Sequence, residues 1–156
     1  MTKEFIVSQE YLDKMILKVE ELKTIRRPEI AKKLQDARAF GDLSENAEYD
    51  EAKNEQAEVE AEILKLEEDI RNAKVIVESD NKDIVSLGST VKYFDKEEKK
   101  EHTYKITGTA ESDPFNGQIS NVSPVGSVLI DSKVGDILEV RCPYNYKYKI
   151  KVLEIL

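Results

Sequence analysis

Asp42 and Glu45 lie three residues apart in the run Gly41-Asp42-Leu43-Ser44-Glu45-Asn46-Ala47-Glu48-Tyr49. Where the chain turns into helix, that spacing sets two carboxylates on one side. Both are ionised at neutral pH, because carboxylate side chains titrate near pH 4. On a narrow tip between two helices they have little to do for their own protein, and would matter most inside another protein's active site. A second use of the same residues stays open. Asp42-x-x-Glu45 fits a capping box with Asp in place of Ser or Thr, and Ser44 is a competing cap for the helix that follows.

Two long helical segments must position this tip. Ser8 can cap a helix from about Gln9, with Glu10 acidic in its first turn. Leu12, Met15, Val19 and Leu22 then recur at three- and four-residue spacing, the mark of a coiled-coil seam. Pro28 interrupts the arm and steers Arg27 away from helical dihedrals, which predicts a kink, or a restart with Pro28 in the first turn. Ile30, Leu34 and Ala37 carry the apolar face on to Phe40, and Gly41 ends it. In the second arm Tyr49, Ala52, Gln56, Val59, Ile63, Leu66, Ile70 and Ala73 keep the alternation unbroken. Some thirty residues per arm predict a hairpin roughly 45 Å long.

The charge distribution fits this picture. The 156 residues carry a net charge of −8 with 36% charged and 7% aromatic residues, which suits an elongated part with much solvated surface and argues against non-specific binding to duplex nucleic acid. Lys23, Arg26, Arg27, Lys32, Lys33 and Arg38 make the first arm basic, whereas Glu48, Asp50, Glu51, Glu55, Glu58, Glu60 and Glu62 make the second acidic. Antiparallel packing would pair them across the seam; a basic stripe touching RNA near the tip is the functional alternative. Cys142 is the only cysteine and His102 the only histidine, so neither a disulfide nor a Cys/His zinc set is expected. No apolar run approaches a membrane span and no signal-peptide core is evident, so a cytoplasmic soluble protein is expected.

Helical periodicity stops at Glu78–Asp83. The expected organisation is a hairpin over residues 1–78 and a second domain over 79–156. Strands are predicted at Thr90–Phe94, His102–Thr107, Ile137–Cys142 and Tyr146–Ile155, with turns at Asn116-Gly117 and Gly135-Asp136. Ser123-Pro124 opens a short helix through Ile130. The fold class is α+β: an antiparallel two-helix coiled-coil hairpin followed by a small, mostly antiparallel sheet domain with one short helix.

The tip run, preceded by Ala37-Arg38 and followed by Ala52-Lys53, resembles the bacterial Gre family of transcript-cleavage factors, which are transcription elongation factors. Arg27-Pro28, Leu87-Gly88-Ser89, Ser123-Pro124-Val125-Gly126 and Val134-Gly135-Asp136 also fall where that family has similar segments, so the resemblance covers essentially the whole chain. It implies that the C-terminal domain is FKBP-like and docks at the rim of the secondary channel of bacterial RNA polymerase. The coiled coil would pass down that channel to the active site. There the factor would stimulate the polymerase's own hydrolysis of a backtracked RNA 3′ end, without being an enzyme itself.

The same resemblance implies roles for individual residues. Asp42 and Glu45 match the family's acidic pair and would help to hold a Mg²⁺ ion shared with the polymerase, the chain having no cofactor of its own. Arg38 and Lys53 match basic positions near the tip and would touch RNA phosphates or the polymerase. Ser44 and Asn46 are further candidate contacts to RNA or polymerase. Phe40 and Tyr49 would steady the tip by packing on each other or would stack on a base. The modest basic group implies release of short fragments, mainly dinucleotides and trinucleotides. No membrane association and no sequence-specific DNA binding are expected. The alternatives are a secondary-channel-binding inhibitor of the polymerase, a prolyl isomerase with an appended hairpin, and a plain coiled-coil interaction protein.

Overall fold

The computed structural model describes residues 5–41, 46–77 and 80–156. These form two compact units, one of Glu10–Ala73 and one joining the described residues up to Gln9 with Lys74–Leu156.

The first unit is a helical hairpin. Helix α1 (Gln9–Glu21) runs through a π-helical turn, Leu22–Arg26, into α2 (Arg27–Ala39), and α3 (Ala47–Asn72) forms the other arm. Every predicted seam position is buried or half-buried except Phe40 at the end of the first arm, which is exposed. Leu22, Ile30, Leu34, Ala52, Val59 and Ile63 make the buried core, with Tyr49 and Leu66 packed against it.

One detail corrects the sequence reading. Arg27 is helical, with φ −56° and ψ −49°, and is not steered out of the helix; the expected restart with Pro28 in the first turn is found, since α2 begins at Arg27 directly after the π turn. The π turn explains how. Leu22 and Ile30 are eight residues apart, one more than a heptad, and a π turn absorbs one extra residue while keeping both on the seam. The Arg27 N–H reaches back to Leu22 O, and the widened turn relieves the crowding that a proline ring imposes on the turn before it. Thr24 Oγ1 also donates to Glu20 O at 2.8 Å, a back-bond that bends helices.

The second unit holds a five-stranded sheet in the order β5-β4-β3-β7-β6. Its strands are β3 (Thr90–Asp95), β4 (Lys100–Thr107), β5 (Gln118–Ser120), β6 (Ile137–Arg141) and β7 (Lys147–Ile155). All pairings are antiparallel except β4 with β5. The single short helix α4 (Pro124–Leu129) is capped by Ser123 Oγ, which accepts from Gly126 N–H at 3.0 Å. Gly126 has no room for a side chain, since a Cβ there would lie 2.0 Å from Ser120 O. Val91, Ile106, Leu129, Val140, Ile150 and Val152 are fully buried between helix and sheet. A separate two-stranded sheet pairs β1 (Phe5–Val7) with β2 (Ala73–Val75). Among the described residues no helix is long and apolar enough to cross a membrane.

Candidate functional site at the hairpin tip

Helix α2 ends where Gly41 takes φ +103°, a conformation that costs glycine least. Helix α3 begins at Ala47, and its N-cap is Asn46, whose Oδ1 accepts from Tyr49 N–H at 3.1 Å. Asp42, Leu43, Ser44 and Glu45 lie outside the described residues. Their neighbours nevertheless decide one point: the N-cap of α3 is neither Asp42 nor Ser44, as the capping reading supposed, but Asn46. The reason is register, because the helix starts after the acidic pair and not between its members.

Arg38 sits in the last turn of α2 and Lys53 in the second turn of α3. Arg38 Cζ and Lys53 Nζ each lie 5.9 Å from the centroid of the Tyr49 ring, within cation–π range. Lys53 Nζ also donates to Gln56 Oε1 at 3.3 Å. Among the described residues neither cation has a carboxylate partner. The cations further along the arm differ. Lys23 pairs with Glu67, Arg26 with Glu55 at 3.0 Å, and Lys33 with Glu55 at 3.0 Å. Arg27 makes a two-pronged contact with Glu60, both hydrogen bonds at 2.7 Å. These pairs hold Glu60, Glu55 and Glu67 below the usual carboxylate range, chiefly through the hydrogen bonds from Arg27, Lys33 and Lys23 respectively.

Lys23, Arg26, Arg27 and Lys33 are thus neutralised by the acidic arm, whereas among the described residues Lys32, Arg38 and Lys53 have no carboxylate partner. Lys33, weighed as part of a basic stripe, belongs to the neutralised set. Phe40 is 79% exposed and makes no ring contact with Tyr49 among the described residues, so the predicted packing of the two rings is not found. The ring instead serves the two cations. This use of Tyr49 escaped the sequence reading, although its four-residue spacing from Lys53 was a signal. A groove of about 430 Å³ near the tip is lined by Asp36, Glu48, Glu51 and Glu55 against Lys33, a balance unsuited to phosphate.

In the sheet unit, the ligand atoms of Asp95, Glu98 and His102 lie within 4.8 Å of one another. Asp95 Oδ1, however, accepts the N–H groups of Glu97 and Glu98 and so builds the β3–β4 turn. His102 is a strand residue flanked by Tyr93 and Tyr104 at 5.5 and 6.0 Å between ring centroids.

Residues 5–75 match the family model described as transcription elongation factor, N-terminal, and residues 80–156 match transcription elongation factor, GreA/GreB, C-term. The chain belongs to the GreA/GreB family. A transcription elongation factor GreA from Thermoanaerobacter pseudethanolicus is 51% identical over 99% of both chains. One from Macrococcus caseolyticus is 46% identical over 99% of this chain and 98% of its own. The solved structure of transcription factor Gfh1 is 25% identical over 99% of both chains, with a TM-score of 0.47. Family membership covers both units, and near half identity the relatives are named transcription elongation factors, which sets aside the channel-binding inhibitor.

Proposed function

We propose that the chain is a transcript-cleavage factor: it enters the secondary channel of bacterial RNA polymerase tip first and stimulates the polymerase's own hydrolysis of backtracked RNA. The observation that carries this reading is the contrast between paired and unpaired cations. Four cations of the first arm are spent on carboxylates across the seam, whereas among the described residues Lys32 in α2, and Arg38 and Lys53 at the end that bears Asp42 and Glu45, are not. An unpaired guanidinium and ammonium beside a tip suit contacts to the phosphates of a single strand. Catalysis belongs to the polymerase, and this chain contributes groups to its active site.

The donor set at the tip fits Mg²⁺. Asp42 and Glu45 offer carboxylate oxygens, and neither sulfur nor imidazole occurs in the run Gly41–Tyr49. These two residues would hold the ion jointly with the polymerase. When bound, such an ion activates water and stabilises charge on a leaving oxygen. The rest of the tip binds and orients. Arg38 and Lys53 fix the extruded RNA by its phosphates, while the neutralised arms let the hairpin approach RNA without a broad basic surface. Short fragments, dinucleotides and trinucleotides, are the products this limited basic surface favours. The deciding experiment is RNA cleavage in a stalled bacterial polymerase complex by wild type and by the double variant Asp42→Asn/Glu45→Gln. Stimulation by the wild type alone, with polymerase binding kept by both, supports the proposal.

A further inference from the structure

The two arms of the hairpin meet at the tip in a single side chain. Asn46 Nδ2 donates to Ala37 O at 2.6 Å, and Asn46 Oδ1 accepts from Tyr49 N–H at 3.1 Å. Ala37 lies in the last turn of α2, and its O also accepts from Phe40 N–H at 3.3 Å. Tyr49 lies in the first turn of α3, where N–H groups lack an intrahelical partner. One amide therefore ties a last-turn carbonyl of one helix to an orphan donor of the other. That task needs a donor and an acceptor forked on a short stem. Asn has both, Asp has no donor, and Ser has a single oxygen with less reach.

The consequence falls on the residues between. Asp42 and Glu45 belong to the four-residue stretch between Gly41 and Asn46. The Asn46 amide ties the far end of that stretch back to the helix that leads into its near end. It also holds the backbone of Tyr49, whose ring lies 5.9 Å from both Arg38 Cζ and Lys53 Nζ. A single side chain thus links the segment with the carboxylates to the platform of the cations.

We infer that Asn46 is a positioning residue for transcript cleavage: its amide locks the ends of the carboxylate segment and the Tyr49 platform together, so that carboxylates and cations reach the RNA as one unit. The inference rests on the cleavage function proposed above. It assigns Asn46 a part other than the contact to RNA or polymerase expected from the sequence, because both of its polar atoms are engaged within the hairpin. Such a residue acts on the rate at saturation and not on docking, since a misplacement of about 1 Å in a catalytic group can cost roughly 100-fold.

The test uses full-length wild type and Asn46→Ser. Serine keeps a cap for Tyr49 N–H but cannot also reach Ala37 O, so helix α3 still starts in place. Two quantities are read on a backtracked polymerase complex: the maximal cleavage rate and the factor concentration at half-saturation. Amide hydrogen exchange across Val59–Ile63 in the free protein reports whether the hairpin core is intact. The expected result is a maximal rate lowered by about 10- to 100-fold, half-saturation within about twofold, and unchanged core protection. A maximal rate equal to wild type would overturn the inference and leave the cleavage function standing. So would a loss confined to half-saturation, which marks a docking contact, or a loss of core protection, which marks a general structural role. Wild type that stimulates no cleavage would instead overturn the function itself.

Discussion

Arg38 and Arg27 are both arginines of α2, eleven residues apart on the same helical arm, yet their removal should have opposite outcomes. Arg27 is bound at both prongs by Glu60, two hydrogen bonds of 2.7 Å at the hairpin surface. Exposed pairs of this kind contribute little to stability, and another anion must displace Glu60 to reach Arg27. Arg38 has no carboxylate among the described residues and rests beside Tyr49. If it holds an RNA phosphate, Arg38→Ala removes a charge-assisted hydrogen bond worth about 1.5–3 kcal/mol. At 1.36 kcal/mol per decade that is roughly a 10- to 150-fold loss. The assay is cleavage of RNA in a backtracked complex over a range of factor concentrations, reported as the maximal rate divided by the half-saturating concentration. Arg38→Ala should lower this ratio by that factor, and Arg27→Ala should leave it within about twofold. Equal losses for both variants would refute the distinction between spent and free cations. So would a wild-type ratio for Arg38→Ala.

Two further outcomes follow from packing and charge. Ile63 is 2% exposed in the hairpin core, and Ile63→Ala should cost about 2–5 kcal/mol, read by hydrogen exchange of α3 amides in the full chain; unchanged exchange would mean that the seam does not hold the arms. Glu55, Glu60 and Glu67 have pKa values lowered from 4.5, so their pairing contributes fully above that pH and is lost as pH falls through the lowered values. Protection of α2 and α3 should therefore hold from pH 7 to about 5.5 and decline below about 4.5, less steeply in 1 M salt where surface charges are screened. Protection that increases on acidification would contradict the pairing.

Much of this architecture was legible in the sequence because it rests on repetition. Seam residues from Tyr49 to Ala73 mark α3 by an unbroken period, and alternation marks the long strands β3 and β7 within a residue or two of their ends. What escaped was short or relational. The strands β1, β2 and β5 are three residues each, too few to show an alternation. The π turn is a relation between the Leu22-to-Ile30 spacing and the facing helix, and Pro28 taken alone suggested a break. Near Pro143, Tyr144 and Asn145 adopt φ +64° and +60°, a left-handed turn made without glycine that no sequence pattern announced. At the tip, the residue types were legible and their division of labour was not. Asp42 and Ser44 are as good caps as Asn46 by type, and only the start of α3 at Ala47 selects Asn46. The freedom of Arg38 and Lys53 likewise depends on which glutamates the hairpin register brings within reach of each cation.

The central claim is that the tip carboxylates act within the polymerase. It is tested most directly with 3′-labelled RNA in a stalled bacterial polymerase complex, comparing wild type with Asp42→Asn/Glu45→Gln at saturating factor and fixed Mg²⁺. The account predicts release of labelled dinucleotides and trinucleotides with wild type and none above the polymerase's own background with the double variant, while both compete equally for the polymerase. Cleavage by the double variant at the wild-type rate would contradict it.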